Sequence, residues 1–222
     1  MKNIFDKKMM KTWIVTVVAL VIAIAGILIM PDTIPTHFGP DGTPDDWGTK
    51  YTVFLYPGLL LLITALANPM KKLDPKEANY ERFEKYYYNF FFAFALFFLV
   101  IEIANITIAM GYPVNVGSVI CFCVGIFMCF IGNLMPKIKQ NFFFGIKMAW
   151  TLSDEEVWFK THRLGGKVFM LGGIAIMIGA FIPGSAKIWI PLAAIIAMVI
   201  IPFVYSLIIF KKKNQKKQNL DE

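Results

Sequence analysis

Only two histidines and three cysteines occur in the 222 residues, and charged side chains make up just 17% of them. His37 and His162 fall on opposite sides of a membrane in the topology read below, so they cannot share a metal or a catalytic dyad. No His-Glu-x-x-His, Gly-x-Ser-x-Gly or phosphate-cradling Gly-Lys-Ser/Thr pattern is present. These absences disfavour an enzyme, and no cofactor or metal is expected. Cys121, Cys123 and Cys129 have no His or carboxylate at ligand spacing. Cys121 and Cys123 point to different faces of one helix, and all three read as small apolar packing residues.

Hydrophobic residues are 57% of the chain and the mean hydropathy is +0.61. That balance marks an integral membrane protein. Six apolar runs approach the ~20 helical residues needed to cross a ~30 Å hydrocarbon core: Trp13 to Met30, Tyr51 to Asn68, Tyr87 to Met110, Val114 to Met135, Val168 to Pro183 and Ile188 to Phe210. The fifth is short and is expected to begin at Leu164 or earlier. Continuous apolarity without in-out alternation excludes barrel strands. The expected fold is all-α, a polytopic bundle of six transmembrane helices. The first run follows a basic leader but has a long apolar core and no small-residue cleavage pattern, so it reads as an uncleaved helix.

All of the 22 Lys and Arg residues except Lys50 and Lys187 fall on one side if both termini are cytoplasmic. That bias sets orientation, and it makes the net charge of +7 a topology signal instead of a nucleic-acid footprint. The basic tail would also be drawn to anionic membrane lipid. The organisation expected is a two-helix unit over 1–68 with an ordered outer loop at 31–50, and a cytoplasmic linker over 69–86. A four-helix unit over 87–210, with a cytoplasmic loop at 136–163, and a basic tail over 211–222 follow. Gly165, Gly172 and Gly179 share a face of the fifth helix, and Gly117, Cys121, Gly125 and Gly132 line the fourth, where small residues let backbones approach.

Two segments are not lipid-like. The outer loop has four prolines and three glycines at turn spacing, with Phe38 and Trp47 as expected anchors, and reads as a turn-rich ordered cap. Its His37 stands among Asp32, Asp41, Asp45 and Asp46, which more often satisfy their own backbone than hold a metal. Glu102 is a lone carboxylate deep in a span, with Asn105 one turn on. It either marks a relay or ligand site or is a structural acid hydrogen-bonded to Asn105 or to a neighbouring helix.

Inside, Ser153 is expected to cap a helix, with Glu156 completing a capping box. Trp158, His162 and Gly165 then recur on one face. This loop is either an interfacial hairpin that only anchors, or a docking surface presenting Lys147, Arg163 and exposed aromatics.

The segment from Gly132-Asn133 through Asn141, Gly145, Trp150-Thr151-Leu152-Ser153 and Trp158 to Thr161-His162-Arg163 and Gly166 resembles the signature of the SdpI family. These are bacterial integral membrane proteins that include the immunity protein for the sporulation-delay toxin. Ile34-Pro35-Thr36-His37-Phe38-Gly39, Gly42 and Trp47 resemble the domain of unknown function that commonly precedes it. Lys147 stands where the family pattern has an arginine, and Met148-Ala149 where it has Thr-Pro.

The resemblance implies an immunity protein in the cell membrane that guards against a hydrophobic toxin peptide. It also implies a receptor that sequesters a winged-helix autorepressor, without touching nucleic acid itself. His37, Phe38, Trp47, Glu102 and Asn105 are the expected toxin-binding or sensing residues. Asn133, Asn141, Gly145, Lys147, Trp150, Trp158, His162 and Arg163 are the expected family-motif or docking residues. A small transporter or exporter, or a membrane scaffold subunit, are the alternatives.

Overall fold

The computed structural model describes residues 6–39, 43–182 and 186–221. Lys2, Asp41, Gly42 and Pro183, which enter the readings above, lie outside them. Helices dominate: α1 (Met10–Ile29), α2 (Leu55–Leu73), α3 (Glu84–Ala109), α4 (Val116–Leu134), the short α5 (Ala149–Ser153), α6 (Glu155–Gly179) and α7 (Ala186–Asp221). Among the described residues, five helical segments are long and apolar enough to cross a membrane: Lys7–Ile29, Lys50–Leu73, Glu84–Ala109, Val116–Lys137 and Ile188–Asn219. Helix α6 holds the fifth expected run but is not among them, because its first half carries Glu155, Glu156, Lys160, Arg163 and Lys167.

The outer loop departs from the all-α expectation. Thr33–Phe38 (β1) and Pro44–Thr49 (β2) form an antiparallel hairpin. The register runs Thr33 to Thr49, Ile34 to Gly48 and Pro35 to Trp47, then shifts at an irregularity so that His37 meets Asp46. Proline is tolerated here because both strands are edges, and Thr33, Ile34 and Thr36 favour the pleat. Gly48 is required by a close approach: a Cβ there would lie 2.7 Å from Thr36 Cγ2. The hairpin is anchored by Ile34, which is fully buried with Ala23, Met30, Val53, Ile106 and Ala109. Trp47 is exposed and Phe38 only half-buried, so the expected aromatic anchors give way to an aliphatic one.

Packing is tightest between α4 and α6. A Cβ on Gly132 would lie 2.6 Å from the Gly166 carbonyl, and one on Gly166 equally close to that of Gly132; Gly125 and Gly173 repeat the arrangement. Backbone contact of this kind supplies the dispersion that apolar side chains cannot gain over lipid. The contact pairs Gly166 and Gly173 with α4. The expected stripe of Gly165, Gly172 and Gly179 instead meets Met135 and Ile146, then Met198, then Ile190 and Pro191 of α7.

At the end away from the hairpin, Met9, Ala67, Tyr80, Phe83, Tyr87, Tyr88, Phe91, Leu134, Ile138 and Trp158 form one buried core. Its members include Tyr80 and Phe83 of the 69–86 segment, which is folded into a 3-10 turn at Glu77–Arg82.

Candidate functional site

Two sites stand at opposite ends of the bundle. At the hairpin end, a cavity of about 290 Å³ lies between the hairpin and helices α2, α3 and α4. Thr36, His37 and Phe38 contribute from β1, Tyr56 from α2, Asn105 and Ile108 from α3, and Ile120 from α4. His37 Nδ1 lies 2.6 Å from Asp45 Oδ1 across the hairpin. The remaining wall is aliphatic, so the space offers an apolar body a few polar contacts at its rim.

Of the five residues expected here, His37, Phe38 and Asn105 come together on that wall. Trp47 does not line it. Glu102 lies outside the lining and is fully buried, with neither carboxyl oxygen hydrogen-bonded to Asn105 or to any other group. Tyr56, which sequence reasoning passed over as one more apolar-run residue, both lines the cavity and packs against the buried cluster containing Ile106, one turn on from Glu102.

At the opposite end the family-motif residues fold inward. Asn141 is fully buried; its Oδ1 accepts from the amides of Phe143 (3.0 Å) and Phe144 (2.6 Å), and its Nδ2 donates to the carbonyls of Lys139 and Phe144 (both 2.8 Å). Gly145 adopts φ of 119°, and a Cβ there would lie 2.4 Å from His162 Nε2. Glycine is therefore required on both grounds.

His162 Nδ1 lies 2.9 Å from the Trp158 carbonyl, and its Nε2 lies 2.9 Å from the Ile146 amide. A carbonyl only accepts and an amide only donates, so the ring is the neutral tautomer with its proton on Nδ1. Burial pushes its pKa down to about 4. The ring stacks on Trp158 at 4.0 Å, and Trp158 Nε1 donates to the Ile138 carbonyl at 2.9 Å. Trp150 Nε1 donates to Ser206 Oγ of α7 at 2.8 Å.

The knot is completed by residues that the sequence reading left in a linker. Asp74 is buried and accepts from the Tyr80 hydroxyl (2.7 Å), the Phe142 amide (2.8 Å) and the Lys76 amide (2.8 Å). Burial and that hydrogen bond raise the Tyr80 phenol well above its usual range. Gln140 Nε2 donates to the carbonyls of Thr151 and Leu152, while Lys76 Nζ donates to its Oε1. The Asp74-Pro75 pair is a turn signature that could have flagged this segment.

The helix start is shifted from the expected one. Ser153 closes α5, and Asp154 is the N-cap of α6, its Oδ1 accepting from the amides of Glu156 (2.9 Å) and Val157 (3.0 Å). Asp154 has the extended backbone a cap needs, whereas Ser153 is already helical. No capping box forms with Glu156, which is drawn to Lys160 at 2.6 Å and to Lys213 at 2.8 Å and held down to about 2 by them. Asn133, Lys147 and Arg163 remain exposed. Lys137 Nζ donates to Asn133 Oδ1 at 3.3 Å, and Lys147 Nζ donates to the Phe142 and Phe143 carbonyls.

Residues 137–206 match the profile of the SdpI/YfhL protein family, and residues 14–61 match a domain of unknown function, DUF1648. The Immunity protein SdpI of Bacillus subtilis (strain 168) is 32% identical over 115 residues, 52% of this chain and 56% of that protein. The chain therefore aligns with little more than half the length of that curated relative. No solved structure matches. The SdpI/YfhL match takes in the α4–α6 loop, α6 and the first part of α7, and the DUF1648 match runs from α1 through the hairpin into α2.

Proposed function

We propose that this chain is a non-enzymatic immunity protein of the bacterial cell membrane, protecting its cell from a secreted, apolar toxin peptide. The observation that carries the reading is the 32% identity to the Immunity protein SdpI. The outer cavity is the surface that meets the peptide. Six helices span the bilayer with both termini cytoplasmic: α6 is clasped by α4 and α7, which offsets the polarity of its first half. Inside, Lys147, Arg163 and the exposed Phe142, Phe143 and Phe159 dock a winged-helix autorepressor. Asn141, Trp158 and His162 hold that surface in shape from beneath.

The test is survival of a toxin-sensitive bacterium expressing the chain under challenge with a sporulation-delay-type peptide, with a repressor-controlled reporter read in parallel. Wild type should protect and derepress. Lys147→Ala with Arg163→Ala should protect but leave the reporter silent. A well-inserted wild type that gives no protection removes the immunity reading, and loss of both readouts in the double variant removes the division between the two faces.

A further inference from the structure

Glu102 is set apart from the other buried polar side chains. Among the described residues, its two carboxyl oxygens and Thr161 Oγ1 are the only buried side-chain nitrogen or oxygen atoms without a hydrogen-bond partner. The surroundings supply no compensation. One turn on, Ile106 packs against Gly26, and the cluster around it is Ala23, Met30, Ile34, Val53 and Ala109, with Tyr56 at its edge. The described basic side chains near the hairpin are engaged elsewhere: Lys50 pairs with Asp32 at 2.9 Å, and His37 Nδ1 with Asp45 Oδ1 at 2.6 Å. An acid kept in an apolar bundle without donor or counter-charge is costly and is usually functional.

The cavity lies next to it. Asn105, on the cavity wall, is about 60° round the helix from Glu102 at 100° per residue, and Tyr56 both lines the cavity and packs against the Ile106 cluster. A space of about 290 Å³ with Ile101, Ile108, Val116 and Ile120 on its wall accepts an apolar chain. Engineered dry cavities of roughly 150 Å³ already bind benzene. What such a chain lacks, and Glu102 lacks in turn, is the opposite partner of an ion pair.

We propose that the outer cavity and Glu102 form one binding site for an amphiphilic amine, the apolar body filling the cavity and the ammonium reaching the carboxyl. An ammonium brings both the missing charge and the missing donors. The site deepens the immunity reading and rests on it for the biological ligand, since an apolar peptide offers such a group at its N-terminus or on a lysine. A lipid with an ethanolamine headgroup offers the same chemistry.

Hydrophobic carbodiimides react with protonated carboxyls in apolar surroundings: the acid's proton passes to a carbodiimide nitrogen as the carboxyl oxygen adds to the central carbon. The full chain, purified into phosphatidylcholine nanodiscs, should label at Glu102 by peptide mapping, and Glu102→Gln should not label there. N,N-dimethylhexylamine, which cannot itself be acylated, should slow that labelling about tenfold, the loss expected if ~90% of sites are occupied. Hexanol should leave the rate unchanged.

Ala104→Leu, which fills the cavity, should keep the label and lose the protection. Protection that appears on adding phosphatidylethanolamine alone would make the lipid the source of the amine. Absence of label at Glu102, equal protection by hexanol, or protection undiminished in Ala104→Leu would overturn the site. A protected Glu102 in a chain that gives no survival removes the immunity reading alone; survival without amine protection removes the site alone.

Discussion

At the scale of single residues, polar side chains in the inner knot are used as internal fastenings. His162 accepts one amide and donates to one carbonyl in a space with no room for a second proton, which is why its pKa falls to about 4. An unfolded histidine titrates near 6.5, so the folded protein binds fewer protons between those values. Its contribution to stability is fully present above pH ~6.5 and declines as the pH falls toward 4, by about 3 kcal/mol in all. Thermal unfolding in detergent should show this slope in the wild type, and His162→Gln should flatten it. Asp154 adds to the loss at lower pH: despite partial burial, Lys213 and the Val157 amide hold it below its usual range. A slope unchanged in His162→Gln would assign the whole effect to such carboxylates.

At the scale of elements, two helices in contact through glycine can be told from two helices merely near each other. Gly173→Ala would place a methyl 2.6 Å from the Gly125 carbonyl, so α4 and α6 must part, and stability should fall by about 1–3 kcal/mol. Gly58 in α2 has nothing within 4 Å of a built Cβ. Gly58→Ala should therefore raise stability by up to about 1 kcal/mol through helix propensity. Thermal unfolding of the two variants side by side checks the contrast.

The long apolar runs made the helices legible in the sequence to within a few residues, except where polar helix continues an apolar one. Helix α6 begins at Glu155, well before its apolar part, because the tertiary knot buries Trp158 and His162 and satisfies what water otherwise would. The hairpin was not legible because its prolines and glycines spell turns, and only pairing with each other makes Thr33–Phe38 and Pro44–Thr49 strands. At the candidate site, His37, Phe38 and Asn105 were legible as the polar or aromatic exceptions in apolar context. Tyr56 and Asp74 were not, since each acquires its role only from residues distant in the chain.

At the scale of the whole molecule, the polar knot and the hairpin occupy opposite ends, and the proposed topology places them on opposite sides of the membrane. A C-terminal green fluorescent protein fusion should fluoresce, since it would fold in the cytoplasm. In a background with Cys121, Cys123 and Cys129 changed to alanine, Asp46→Cys should react with an impermeant maleimide in intact cells, and Lys139→Cys only after permeabilisation. The reverse pattern would invert the molecule and put the cavity inside.

The inner core joins Met9 to Trp158, and this has a consequence for how the protein is made. Helices α1, α2 and α3 leave the ribosome well before Trp158 exists, with Asp74 and Tyr80 awaiting the Phe142 amide and Asn141. The early half of the chain must therefore sit in the bilayer with its aromatic end open to chaperones and proteases until the later half arrives to close it. Any truncation upstream of Trp158 should be cleared by membrane quality control instead of persisting as a half-protein.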